Sequence, residues 1–366
     1  MAEKKKVKIG LGSFDFAKGL GILTVIFCHL SINYPVSEVP LLAPAYVFIN
    51  IVSSGLMPMF FIISGYGFKK KQAGKMLKKT FNESFGALFF SLIVFSVLVP
   101  LAYYPVFKHS VMKWVEVSAR RVLSWLLALP TPKFILGVEL LPISALWFLI
   151  ALFWAQNILN QIVRIKNLYL QIGCVGLSVL LGLYLYSIGF VFYCIPQGFV
   201  AVFFCYIGYI LKSYSLLEKY IHKVWPYLVM VPVCLVHFAL VGRKGGLPFD
   251  LASGKFGFFD FIAATISGLL FVFIGVLAGR CTWKWAEWIK NIGVHTYWIL
   301  CLHSIELLGI PWWEISQEKT NSYLFFGIEI FIKIVLITSG CMMLKKISYY
   351  RYMKKRVKQD GKLQHY

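Results

Sequence analysis

Ten stretches of about 20 mainly apolar residues run through this chain, approximately at 13–33, 44–67, 82–103, 143–163, 168–188, 190–211, 225–241, 259–279, 291–311 and 323–344. That length is what an α-helix needs to cross the hydrocarbon core of a bilayer, at a rise of about 1.5 Å per residue. Composition leaves few alternatives. Of 366 residues, 59% are hydrophobic and 14% charged, and the mean hydropathy is +0.74. A soluble chain of this size has no surface on which to place so much apolar material. The sequence therefore predicts an all-α, polytopic integral membrane protein of about ten transmembrane helices, embedded in the lipid bilayer.

A net charge of +22 would suit a nucleic-acid binder, but the positions of the charges exclude that reading. Lysines and arginines cluster between alternate apolar runs, at Lys4 to Lys8, Lys69 to Lys79, Arg164 and Lys166, Lys212 to Lys223, Arg280 to Lys290 and from Lys345 onward. This is the positive-inside pattern, and it predicts that both termini are cytoplasmic. The division expected is a membrane domain over 1–345 and a basic tail over 346–366, in a multi-pass protein of the plasma or inner cell membrane. The basic N-terminus followed by an apolar run has the outline of a signal peptide but no small-residue cleavage site, so it reads as a retained first helix. The amphipathic stretch Val111 to Leu129 is expected outside, as an interfacial or re-entrant helix. The eight cysteines show no Cys-x-x-Cys or metal-ligand spacing and read as small buried hydrophobes, so no metal and no disulfide framework is expected.

Asp15, Lys18 and His29 lie together in the first apolar run. Ionisable groups are costly in hydrocarbon, and several in one span mark a functional site. Lys18 and His29 are eleven residues apart, which places them within about 20° of each other on a helix and about 16–17 Å apart along it. Glu329 and Lys333, four apart in the last run, have the favoured order for an intrahelical ion pair, and a structural role is expected of them. His303 falls at a depth in the ninth run comparable to that of His29 in the first. His295, nearer the cytoplasmic end, reads as a packing residue, while Glu306, Asp260 and His237 fall near exterior span ends, where they could meet a polar ligand.

Four blocks carry a resemblance: Asp15-x-x-Lys18-Gly19 with His29; Met57-Pro58-Met59-Phe60-Phe61-Ile62-Ile63-Ser64-Gly65-Tyr66; Leu146-Trp147-Phe148-Leu149; and Asn291-Ile292-Gly293 through Tyr297 to Leu302-His303. In order and spacing the chain resembles the membrane-bound acyltransferase-3 family, in particular its sugar O-acetyltransferases. Many members carry Arg where this chain has Lys18, and an Arg-x-x-Arg where it offers Lys75-x-x-Lys78. No extracytoplasmic esterase-like domain accompanies the membrane domain, which is then expected to complete the transfer itself.

The resemblance implies an integral-membrane O-acyltransferase. Its donor is acetyl-CoA or a similar short acyl-CoA from the cytoplasm, and its acceptor is a hydroxyl of a cell-surface or lipid-linked carbohydrate. No bound cofactor is implied. His29 is the expected general base, because imidazole has a suitable pKa near neutrality. His303 is expected to polarise the acyl carbonyl or orient His29. Asp15 and Lys18 are expected to orient the donor, with Lys75, Lys78 and Lys79 as further donor-binding cations, and Ser64, Tyr66 and Trp147 as wall residues. Two rivals remain: a transporter of a small polar solute, with the same polar groups as its pathway, and a non-catalytic structural or sensor subunit. The sequence is compatible with a monomer or a homo-oligomer.

Overall fold

The computed structural model of the chain describes residues 9–30, 40–106, 111–140, 142–244, 258–310, 312 and 322–363. Its helices, in chain order, are α1 (Asp15–Cys28), α2 (Ala43–Ser53), α3 (Leu56–Tyr66), α4 (Ala73–Val106), α5 (Val111–Leu126), α6 (Trp147–Ile162), α7 (Leu168–Ser187), α8 (Ile195–Ser213), α9 (Leu216–Tyr220), α10 (Trp225–Lys244), α11 (Phe258–Ala278), α12 (Lys284–Val294), α13 (Thr296–Gly309) and α14 (Ser322–Leu363). Among the described residues six stretches are long and apolar enough to cross a membrane: Leu11–Cys28, Ser144–Ile162, Leu168–Ser187, Phe192–Ser213, Phe261–Ala278 and Tyr323–Met343. Leu56–Tyr66 and Trp225–Leu240 are apolar but shorter.

The expected span 44–67 is broken into α2 and α3 at Ser54–Gly55. Pro58 explains the break, because it has no N–H to return to the carbonyl of residue 54 and is tolerated only in the first turn of a helix. Gly55 completes it: a Cβ there would stand 2.8 Å from both Ser267 and Phe271 of α11. The expected span 291–311 is likewise interrupted, at His295, between α12 and α13. In the other direction, α4 begins at Ala73 rather than at 82, so the lysines before the apolar run are its first turns. α14 also continues through the basic tail to Leu363.

α3 lies at the centre, with every residue but Ser64 buried. It packs on α8 and α11. Gly65 permits the first contact, since a Cβ on it would run into the carbonyl of Cys205; Gly208 does the same against the carbonyl of Ile62. α8 packs in turn on α6 and α7. α7 buries only Val175, Ser178 and Gly182, one narrow stripe facing α8, and exposes Leu177, Leu180 and Tyr184, as suits a helix bathed in lipid on its other sides. α1 lies against α12, where Gly19 meets the carbonyl of Ile289 and Gly293 meets that of Asp15.

The all-α expectation has one exception. After α5, strands β1 (Lys133–Ile135) and β2 (Val138–Leu140) form an antiparallel hairpin in the register Lys133↔Leu140. Its turn residues Leu136 and Gly137 both have positive φ, 50° and 78°, as a two-residue hairpin turn requires. The loop is stitched to the α7–α8 turn: Tyr193 N–H donates to Leu127 O (2.9 Å), and Lys133 Nζ to Gly189 O (2.7 Å).

Candidate functional site: a histidine pair backed by a buried charge cluster

His29 caps the C-terminal end of α1, and its Nδ1 donates to the carbonyl of Val25 one turn back, at 2.7 Å. His303 of α13 meets it. Its Nε2 lies 3.3 Å from His29 Nδ1, and the rings are 5.0 Å apart in an edge-on arrangement (69°). On the far side, His303 Nδ1 donates to Glu306 Oε2 at 3.0 Å. These partners fix the tautomers. A carboxylate and a carbonyl only accept, so both Nδ1 atoms carry hydrogen. His303 Nε2 is then an acceptor toward His29, and the lone pair of neutral His29 resides on Nε2.

Glu306 is the hub behind the pair. Lys333 of α14 donates to both its oxygens, at 2.7 and 2.9 Å, and Trp312 Nε1 donates to Oε1. Lys333 also pairs with Glu329, at 3.0 Å, and stands over the Trp312 ring. Burial is nearly complete, with Glu306 4%, Lys333 2% and Glu329 0% exposed. A charge held so far from water persists only with partners of opposite sign. Lys333 thus lies between two carboxylates, those of Glu306 and Glu329, just behind the histidines.

His29 forms part of the wall of a cavity of about 190 Å³, with Ile22 and Val25 of α1, Met57 and Phe60 of α3, and Leu300 of α13. Trp147 and Phe148 of α6 close one side, and Pro130, Pro142 and Ser144 of the hairpin loop close another. A second cavity, of about 640 Å³, lies among α4, α6 and α13, bordered by Thr80, Asn82, Glu83, Gln156 and Tyr297. The two share walls: Phe148 and Thr296 face the first, Leu149 and Tyr297 the second.

The structure thus brings His29, His303 and Trp147 to one place. Asp15 and Lys18 pair with each other at 2.7 Å, at the far end of α1. About 16 Å of helix separates Lys18 from His29, so Asp15 does not touch the histidine pair. Lys75, Lys78 and Lys79 are exposed on the first turns of α4, Lys79 pairing at 3.5 Å with Glu83, whose side chain borders the larger cavity. Ser64 and Tyr66, expected on the wall, line neither cavity. The Ser64 hydroxyl returns to the Phe60 carbonyl of its own helix, and Tyr66 donates to Glu218 at 2.7 Å. Tyr66 differs in helical phase, lying on the opposite side of α3 from Met57, whereas Ser64 shares the face of Met57 and Phe60 but stands about 6 Å further along the helix than Phe60. Glu306 was legible only as a polar group near a span end, and Glu329–Lys333 only as a pair on one helix. The signal for their union was the His303-x-x-Glu306 spacing, which puts both on one face.

The apolar helical bundle thus encloses a chain of hydrogen-bonded groups, His29, His303 and Glu306, at the edge of a cavity. The family model described as an acyltransferase domain matches residues 11–328, from the start of α1 into α14. The chain belongs to this acyltransferase-3 family and is a membrane acyltransferase. No curated protein and no solved structure matches it.

Proposed function

We propose that the protein transfers a short acyl group from cytoplasmic acyl-CoA to a hydroxyl of a cell-surface or lipid-linked carbohydrate. The observation that carries this reading is the placement of His29, with its lone pair on Nε2, in a cavity wall and backed by His303, Glu306 and Lys333. In the reaction, His29 Nε2 takes the acceptor's hydroxyl proton as that oxygen attacks the thioester carbonyl. The tetrahedral intermediate then collapses, the C–S bond breaks, and the proton passes from His29 to the departing sulfur, giving CoA–SH and an ester. The imidazolium formed meanwhile is linked through His303 to the Glu306 carboxylate, a favourable arrangement in a low-dielectric site. Lys18, held by Asp15, and the lysines Lys75, Lys78 and Lys79 attract the phosphates of CoA, and the larger cavity with its polar edge takes the pantetheine arm.

The interruptions at Ser54–Gly55 and His295 favour a second reading, transport of a small polar solute, because broken helices form the ion and substrate sites of many carriers. Neither break carries a carboxylate or a lysine, and the charged cluster lies apart from both, so the enzyme reading is preferred.

Radiolabelled acetyl-CoA added to the purified protein in nanodiscs tests it. Wild type is expected to bind the donor and to hydrolyse or transfer its acetyl group. His29→Ala is expected to bind but turn over at least about 10²-fold more slowly, and Lys18→Ala to bind more weakly. Absence of acyl-CoA binding, together with solute uptake into proteoliposomes, would replace this reading with the transporter.

A further inference from the structure

The cavity beside His29 has a chemical character that narrows the substrate. Its wall is apolar on nearly every side: Ile22, Val25, Met57, Phe60, Phe148 and Leu300 supply most of it. Among the described lining residues no side chain is a carboxylate, an ammonium or a guanidinium. The polar groups there are few, and one of them, the Thr296 hydroxyl, is bonded to the Gly293 carbonyl at 2.8 Å. Ser144 is held with φ at 57°, in the left-handed region, at the turn that leads Ala145 and Trp147 into the wall. A sugar ring carries a hydroxyl on most of its carbons, and burying these here would strip their water without replacing the hydrogen bonds. An acyl chain has no such cost.

Size adds a second constraint. On the scale by which a single water needs about 10–15 Å³, a cavity of about 190 Å³ holds on the order of a dozen water-sized groups. An acetyl group, with three heavy atoms, would leave most of it empty. An unfilled apolar void forfeits contacts on every wall.

Resting on the acyltransferase reading, we propose that this cavity is the acyl-chain seat, and that it selects an uncharged, apolar acyl group longer than acetyl, of about four to six carbons. The thioester carbonyl then lies at the His29 end, with the chain running between Phe60, Phe148 and the hairpin loop. A dicarboxylic acyl group such as succinyl is rejected because its distal carboxylate would find no partner.

Isothermal titration of wild-type protein in nanodiscs with CoA and with acetyl-, butyryl-, isovaleryl-, hexanoyl- and succinyl-CoA reads this directly, with empty nanodiscs as the control for partitioning into lipid. Each methylene buried in such a wall is worth roughly fourfold in affinity, so butyryl- and isovaleryl-CoA are expected to bind about tenfold or more tighter than acetyl-CoA. Succinyl-CoA is expected to bind no better than CoA. Ala145→Leu, which narrows the seat, should bring the butyryl-to-acetyl ratio close to one. Phe148→Ala, which widens it, should move the optimum toward hexanoyl, so the test survives a failure of either variant to fold. Tight binding of CoA with an affinity indifferent to the acyl chain, or equal acceptance of succinyl, would overturn the acyl seat and leave the acyltransferase reading standing. Failure to bind CoA or any of its thioesters would count against that reading itself, and the seat would fall with it.

Discussion

Glu306 holds together side chains from α13, α14 and Trp312, and removing any partner exposes the others to the cost of isolated charge. Lys333→Met leaves Glu306 and Glu329 buried with no ammonium between them, and is expected to destabilise the protein by about 3–5 kcal/mol, read as a fall in melting temperature in detergent. Adding Glu329→Gln to Lys333→Met should recover part of that loss, and the double-mutant cycle measures the coupling. Glu306→Gln keeps the shape but removes the charge behind His303. Turnover is expected to drop about 10²-fold or more, with acyl-CoA binding retained, since no donor contact is lost. The meeting of His29 and His303 was legible in the sequence because Asp15 and Lys18 mark the first run as unusually polar and the two histidines fall at comparable depth in their runs. Glu306 was not, because its role depends on Lys333 arriving from a helix 27 residues further on. Tyr66 stands apart from both described cavities for the converse reason: a motif gives neighbours along the chain, and only the helix phase says which of them face the same way.

Helix contacts in this fold are set largely by where backbones can touch. Gly65→Ala or Gly208→Ala puts a methyl group into the opposing backbone of α8 or α3 and is expected to cost about 1–3 kcal/mol. Gly173→Ala on α7, where nothing lies within 4 Å, is the contrast: stability should hold or rise, by less than about 1 kcal/mol. Thermal unfolding of the three variants checks both. Apolar run length sufficed to find most helices, since a lipid-facing element such as α7 needs no periodic pattern. The same uniformity hid the breaks at Gly55 and His295, which leave the hydropathy unchanged. The hairpin escaped because strands of three residues are too short to show an alternation, and its one local sign was Gly137 in the turn.

Over the whole molecule, the basic residues gather where several helices end together: Lys71 and Arg164 are joined through Asn160 and the Lys71 carbonyl, and Tyr66 reaches Glu218 beyond α8. α4, with 34 residues, extends about 51 Å, longer than a bilayer with its headgroups, at about 40–45 Å. That length is enough for its first turns, which carry Lys75, Lys78 and Lys79, to stand clear of the hydrocarbon while the rest of the helix spans it. With that end in the cytoplasm, an impermeant label on intact cells should reach a tag inserted at the hairpin tip, between Leu136 and Gly137, and not one at the C-terminus; the reverse pattern would invert the orientation. The wall around His29 is of mixed parentage. The imidazoles come from α1 and α13, whereas Pro130, Pro142 and Ser144 come from a loop tied down at Leu127, Leu129 and Gly189. Such a division separates the imidazoles from the part of the wall that shapes the cavity around them. A change confined to this loop could recut the cavity while leaving the paired imidazoles in place, and an engineer could graft the loop for the same end.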